Sequence, residues 1–188
     1  MGFAIADELA RHGAEVILIC GPTTLTPDEK PAHQLIRRID VTTSEEMRAA
    51  CIRYFDKSFI TVMAAAVADY KPAQFSGQKI KKKNAGLLLE LVPTADILAE
   101  LGRKKRGKQL LVGFALETTD GLRYAKEKLK RKNLDLIVLN SLQDKGAGFK
   151  GDTNKVTFVD RNNKTAKFEL KDKKDVAVDI VNKILELL

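Results

Sequence analysis

The chain has 188 residues, 44% of them apolar and 31% charged. That length suits one domain spanning 1–188, and the apolar fraction excludes a disordered chain. The formal net charge of +8 suits small polyanions, nucleic acid or a membrane surface. The basic clusters at Lys79–Lys83, Arg103–Lys108 and Lys126–Lys132 lack the interleaved aromatics of an RNA module, and a solvated surface is the plain alternative for most of them. Cys20 and Cys51 have no metal-ligand spacing and read as reduced core residues, as in a cytosolic protein. With no visible signal peptide or membrane span, a cytoplasmic location is expected, with neither membrane nor nucleic acid as partner.

Phe3, Ile5, Ala6, Leu9 and Ala10 recur at helical spacing and predict an amphipathic helix over Gly2–His12. Gly13 suits the position after a helix, and EVILIC follows as a short apolar strand. Turn-rich GPTTLTPDEKP ends it, and Ile36–Val41 predicts another strand. Thr43 with Glu46 is a capping-box pattern opening a helix, and FITVMAA is the next strand. The polar stretch AVADYKPAQFSGQKIKKK connects to LLLELV, which predicts a strand. Thr94 is the predicted cap of a helix over TADILAELGRKKR. QLLVGFALE, TTDGLRYAKEKLKRK and LDLIVLN then read as buried strand, amphipathic helix and buried strand. After the glycine-rich SLQDKGAGFKGDTN, the runs KVTFVD and TAKFEL flank Arg161–Lys164 as a hairpin, and a helix closes the chain from Lys173 to Leu187. Such alternation predicts an α/β fold: a mostly parallel sheet covered on both faces, with an antiparallel C-terminal hairpin.

Ligands of open parallel sheets bind beyond the carboxyl ends of the strands. Here those ends are Cys20–Pro22, Ala64–Asp69, Gly113–Thr118 and Asn140 onward. The small residues before Asp69 let a ligand approach the backbone. Asp69 itself can accept a ribose hydroxyl, help hold a cation, or be an ordinary turn aspartate. Lys79, Lys81 and Lys83 share one side of an extended segment, as a cationic flap over phosphates or as a charged edge strand. Lys128 and Lys132 stand at i and i+4 and can reach one polyanion, or simply solvate their helix. Phe114 can stack on a base or belong to the core. Glu117 and Asp120 suit the helix dipole without a catalytic role. His12 and His33 have no partners at triad or zinc spacing. The residues alone reach an α/β domain with a cationic ligand edge, and do not reach a reaction.

The run of motifs MGFAIADEL…GAEV, AAVADYKP with KIKK, VGFALET, KLKRKNLDLIVLN and GFKGDTNKV resembles the phosphopantothenoylcysteine synthetase family of coenzyme A biosynthesis. The resemblance covers nearly the whole chain. It implies a three-layer Rossmann-like or ribokinase-like fold and a ligase that joins 4′-phosphopantothenate to L-cysteine. CTP activates the carboxylate as an acyl nucleotidylate in the bacterial type, ATP serves the eukaryotic type, and Mg2+ accompanies the nucleotide. By position the resemblance makes Asp69, Ala65, Phe114, Lys128 and Lys132 nucleotide-binding, and Lys79 both nucleotide-binding and catalytic. It implies a homodimer with Lys79–Val92 at the contact. Family members carry, ahead of the residues matching Met1, a central strand and an Asn-x-Ser-Ser-Gly-Lys run whose asparagine stabilises the acyl intermediate, and often a fused flavin-dependent decarboxylase. The expectation is a domain without that strand or a flavin, poorly stable and catalytically impaired by itself. Two other readings stay open at this stage: a Rossmann dehydrogenase, which a nicotinamide titration would reveal, and a non-catalytic nucleotide-binding module.

Overall fold

The computed structural model describes residues 1–25, 34–81, 87–117, 120–141 and 152–188. Helix α1 (Gly2–Arg11) turns at Gly13, whose φ of 84° favours glycine, into strand β1 (Val16–Cys20). Strand β2 (Ile36–Asp40) and helix α2 (Ser44–Phe55) follow. The capping box is formed: the Glu46 amide donates to Thr43 Oγ1 at 3.1 Å, and the Thr43 amide donates to Glu46 Oε2 at 3.3 Å. Beyond strand β3 (Ile60–Met63), strands β4 (Tyr70–Pro72) and β5 (Leu91–Pro93) form an antiparallel pair. Of LLLELV, therefore, only the end is strand, and it pairs locally instead of joining the main sheet.

Helix α3 (Ile97–Lys104) starts later than predicted. Asp96 is its cap, with the Ala99 amide donating to Asp96 Oδ1 at 3.0 Å. Thr94 is too far upstream to cap the helix and bonds elsewhere. Strand β6 (Leu110–Glu117), helix α4 (Gly121–Arg131) and strand β7 (Leu136–Ser141) come next. Thr118, and Gly148–Gly151 of the glycine-rich loop, lie outside the described residues. The predicted hairpin is present as β9 (Val156–Asp160) and β10 (Thr165–Lys167), flanked by short β8 (Thr153–Asn154) and β11 (Lys171–Asp172). Helix α5 (Lys173–Leu187) ends the chain.

The main sheet has the order β10-β9-β7-β6-β3, parallel across β7-β6-β3 and antiparallel at β9 and β10. The single sheet expected from the sequence is divided. Strands β1 and β2 make their own parallel pair, and among the described residues β1 and β3 do not pair with each other. Alternation along the strands builds two cores. Leu110, Val112, Leu136 and Val138 face Ile5 of α1 and Val176, Ile180 and Ile184 of α5. Leu111, Ala115, Ile137 and Leu139 face the side that holds Phe55, Leu98, Leu101 and Leu129. Both cysteines are free and buried, as expected. Among the described residues, no helix is long and apolar enough to cross a membrane.

At the opposite end of β7 from its carboxyl terminus, Asp135 is only 3% exposed. It accepts from the Leu111 amide at 2.8 Å, from Lys105 Nζ at 2.9 Å and from Arg161 at 3.2 Å. Three elements converge on this carboxylate, and losing it would strand the largely buried Lys105 ammonium. Asp135→Ala is expected to cost about 3 kcal/mol, read as a lower denaturant midpoint at unchanged slope. A loss below about 1 kcal/mol, the size of an ordinary surface pair, would reduce the network to surface decoration.

Candidate functional site

The register of the parallel strands sets Met63 beside Gly113 and Asn140 beside Leu116, so their carboxyl ends open on one edge. A cleft of about 630 Å³ lies there, within the size range of small-molecule sites. One wall is the segment Met63–Asp69, another is Thr94–Leu98, and the floor is Phe114–Leu116. Lys128 and Lys132 reach in from α4.

Five of the six residues singled out in the sequence meet here: Ala65, Asp69, Phe114, Lys128 and Lys132 all line the cleft. Ala65 and Asp69 are exposed, and alanines at 64–66 leave the backbone open to approach. Phe114 is half-buried. It packs against the core on the α5 side while also lining the cleft, so its two sequence readings are not exclusive. Lys79 sits on the exposed segment after β4 and is not a lining residue. Cys20–Pro22 also stays outside the cleft, because β1 belongs to the separate two-stranded sheet.

Each lysine has a protein partner. Lys128 Nζ donates to the Phe114 carbonyl at 2.8 Å. Lys132 Nζ lies 2.8 Å from Asp96 Oδ2 and donates to Oδ1 at 3.0 Å. Helices α3 and α4 approach closely at Gly102, where a Cβ would fall 1.9 Å from the Lys132 carbonyl oxygen. Asn133, in the left-handed region at φ 52°, donates its side-chain amide to the Gly102 carbonyl at 3.0 Å. This contact brings the end of α4 against α3. Burial, with the neighbouring Lys132 charge, pushes the Lys128 pKa below the ordinary lysine range. Burial opposes the charged form of Asp96, but the bonds from Lys132 and the Ala99 amide outweigh it and hold the pKa below the usual carboxylate value.

The other end of the cleft is lined by Asn140, Asn154 and Lys173; the sequence placed Asn140 onward at the ligand edge but gave these residues no role. Asn154 is buried, and the buried Asn140 Oδ1 has no hydrogen-bond partner among the described residues. A polar side chain at the end of an apolar strand was the available signal for Asn140. Asn154 closes the glycine-rich loop that follows Asn140, whereas Lys173 carried no signal and is brought near by the β8–β11 pairing.

Lysines, two aspartates and an aromatic floor at the strand ends define an α/β domain whose cleft has the chemistry to hold a phosphorylated, ring-bearing small molecule. The comparisons with known proteins are narrower. The family model described as DNA/pantothenate metabolism flavoprotein C-terminal domain matches residues 1–188, and the chain belongs to that family. It is 43% identical over 187 residues to the coenzyme A biosynthesis bifunctional protein CoaBC of Bacillus subtilis, covering 100% of this chain and 45% of that protein. It is also 52% identical over 188 residues to a protein named cysteine/cysteine sulfinic acid decarboxylase from an unknown prokaryotic organism, covering 100% of this chain and 51% of that one. The chain thus spans about half the length of the curated relatives it matches. The crystal structure of the C-terminal domain of CoaBC superposes with a TM-score of 0.78 at 35% identity, covering 97% of this chain and 79% of that one.

A lysine with a lowered pKa loses its charge at a lower pH than a free lysine does. If the cleft takes a triphosphate through Lys128, its affinity should therefore begin to fall, as pH rises from neutral, before the ordinary lysine range is reached. Titrating CTP across this range should show the step in the wild type and not in Lys128→Met. A profile that Lys128→Met leaves unaltered would remove Lys128 from the anion contact.

Proposed function

We propose that this chain is a phosphopantothenate–cysteine ligase domain that uses CTP. The observation that carries the reading is the convergence of Asp69, Phe114, Lys128 and Lys132 on one cleft, in a chain similar to CoaBC along its whole length. Lys128 and Lys132 take the phosphates, Phe114 and the backbone near Ala65 take the base, and Asp69 holds the nucleotide from the facing wall. The polar end at Asn140, Asn154 and Lys173 suits the second, phosphate-bearing acid.

A carboxylate is a poor electrophile, so the reaction is divided. A carboxylate oxygen of 4′-phosphopantothenate attacks the α-phosphorus of CTP, the bond to the β-phosphate breaks, and pyrophosphate leaves. The cysteine amine then attacks the acyl carbon and loses a proton, and the acyl C–O bond to CMP breaks. The lysines counter the charge on the phosphates and hold the reacting groups together. Among the described residues there is no cluster of three or more metal-ligating side chains. Asp69 and Asp96 nevertheless line the cleft, which fits Mg2+ carried in by the triphosphate oxygens rather than a resident ion. Magnesium would supply charge neutralisation on the phosphates.

The test is pyrophosphate release from CTP and Mg2+ with 4′-phosphopantothenate present, with and without L-cysteine. Release that needs the acid, and amide product that needs cysteine as well, are expected of the domain preceded by the family's strand and Asn-x-Ser-Ser-Gly-Lys run. Binding of CTP without any acid-dependent release would leave a nucleotide-binding module. Lys79, on the exposed segment, acts in this reading as a flap over the phosphates. Lys79→Gln should lower kcat/KM for CTP by about tenfold or more with an unchanged melting temperature, and unaltered kinetics would remove it from the site.

The reading extends to assembly as a homodimer. The β4–β5 arm exposes Tyr70, Phe75, Leu87, Leu88 and Leu91, with Leu88 96% and Phe75 95% exposed. Apolar residues so displayed beside strand edges suit a second copy of the chain. Sedimentation should give a dimer, and Leu88→Asp should shift it toward monomer. A wild-type monomer at micromolar concentration would remove the arm as a dimer contact.

A further inference from the structure

Thr94 was expected as a helix cap, and the structure gives it different work. Its amide donates to the Asp69 carbonyl at 2.9 Å, and its Oγ1 donates to the Ala68 carbonyl at 2.6 Å. One residue thus holds two consecutive carbonyls of the wall that carries Asp69. On its other side the chain runs directly to Asp96, which caps α3 and pairs with Lys132. Val67 anchors the middle of the wall to the core, but the residues on either side of it have little else to fix them. Ala64, Ala65, Ala66 and Ala68 have no side chains that can lock a conformation, and Asp69 is exposed. Strand β4 begins just after Asp69, with Tyr70 opposite Pro93, so Thr94 continues that pairing by one residue into the cleft.

We propose that Thr94 is a positioning residue: its hydroxyl fixes the Ala68–Asp69 wall so that Asp69 faces the bound nucleotide. The role rests on the nucleotide reading of the cleft. Thr94 acts on the ligand through Asp69, and an isosteric loss of the hydroxyl leaves the Thr94 amide bond and the Asp96 cap in place. The hydroxyl bond therefore matters to binding only as long as Asp69 has a ligand to hold. A residue important only for folding would lower stability whichever residue stands at position 69, and would leave ligand contacts independent of one another.

The experiment is a double-mutant cycle on CTP affinity with Thr94→Val, Asp69→Ala and the double variant, alongside thermal melts. Thr94→Val should weaken CTP binding roughly fivefold, the size of one neutral hydrogen bond. In the Asp69→Ala background the same change should have almost no further effect, and Thr94→Ser should restore wild-type affinity. Additive losses would overturn the role, as would a Thr94→Val affinity equal to wild type or a failure of Thr94→Ser to rescue. The wild-type titration reports separately on the underlying reading. If the wild type binds no CTP, the nucleotide site falls and the positioning role falls with it.

Discussion

The parallel register of β6 against β3 and β7 is the constraint on which the rest of the molecule depends. Because the three strands run together, their carboxyl ends share an edge, and the connections after them must meet there. Alternation then sends Leu111 and Ile137 to one core and Val112 and Val138 to the other, leaving Phe114 and Asn140 at the mouth. The other end of the same strands is closed by Asp135, which bonds the Leu111 amide and two cationic side chains. The buried charge sits at the end away from the cleft, where it holds strands together. At the cleft end Lys132 is as buried as Lys105, but it and Lys128 line the cavity, where a ligand can meet them.

On the nucleotide reading of the cleft, the tethers of these two lysines matter to recognition. A chain of net charge +8 has many cations that could meet a polyanion weakly. Helix spacing and burial select two of them. Lys128 is held by a main-chain carbonyl of the cleft floor and Lys132 by a carboxylate of the cleft wall. Each ammonium is thereby kept at the cleft instead of sampling solvent, which reduces the ordering a ligand must impose. The close approach at Gly102 serves the same end, because it sets the backbone of Lys132 against the helix that Asp96 caps.

Much of this was legible in the sequence, because the signals were local. The capping box at Thr43, the turn at Gly13, the two long buried strands and the Arg161–Lys164 hairpin each follow from a few adjacent residues, and each is found. The spacing of Lys128 and Lys132 correctly put both on one face. What was not legible depends on pairing at a distance. LLLELV looks like a core strand, but its partner is β4 and all four of its leucines stay exposed. Thr94 and Asp96 are both good caps by residue type, and only the bond from Thr94 to Ala68 settles which one caps α3. The division between β1–β2 and the larger sheet is likewise a matter of which edges meet, and strand composition carries no information about it. Lys79 follows β4 and lies outside the cleft walls, so its role over the phosphates rests on its motif and not on the lining of the cleft.

The position of Thr94 also relates two features that otherwise look separate. The β4–β5 arm carries exposed apolar side chains, and the cleft carries the charged ones. Among the described residues, the arm joins the cleft at two chain segments, Asp69–Tyr70 and Pro93–Thr94, and these are bonded to each other. Lys71 pairs with Glu45 of α2 and fixes the arm's base to the body of the domain. Any force that shifts β5 relative to β4 must therefore act on the Thr94 bonds, and through them on Ala68 and Asp69. A second copy that covered the arm would bury its leucines and damp that motion. The cost of ordering the nucleotide wall would then be met in part by association rather than by the ligand. Dimer contact and nucleotide affinity would then be linked through Thr94, beside any direct contact that Lys79 of the same arm makes with the phosphates.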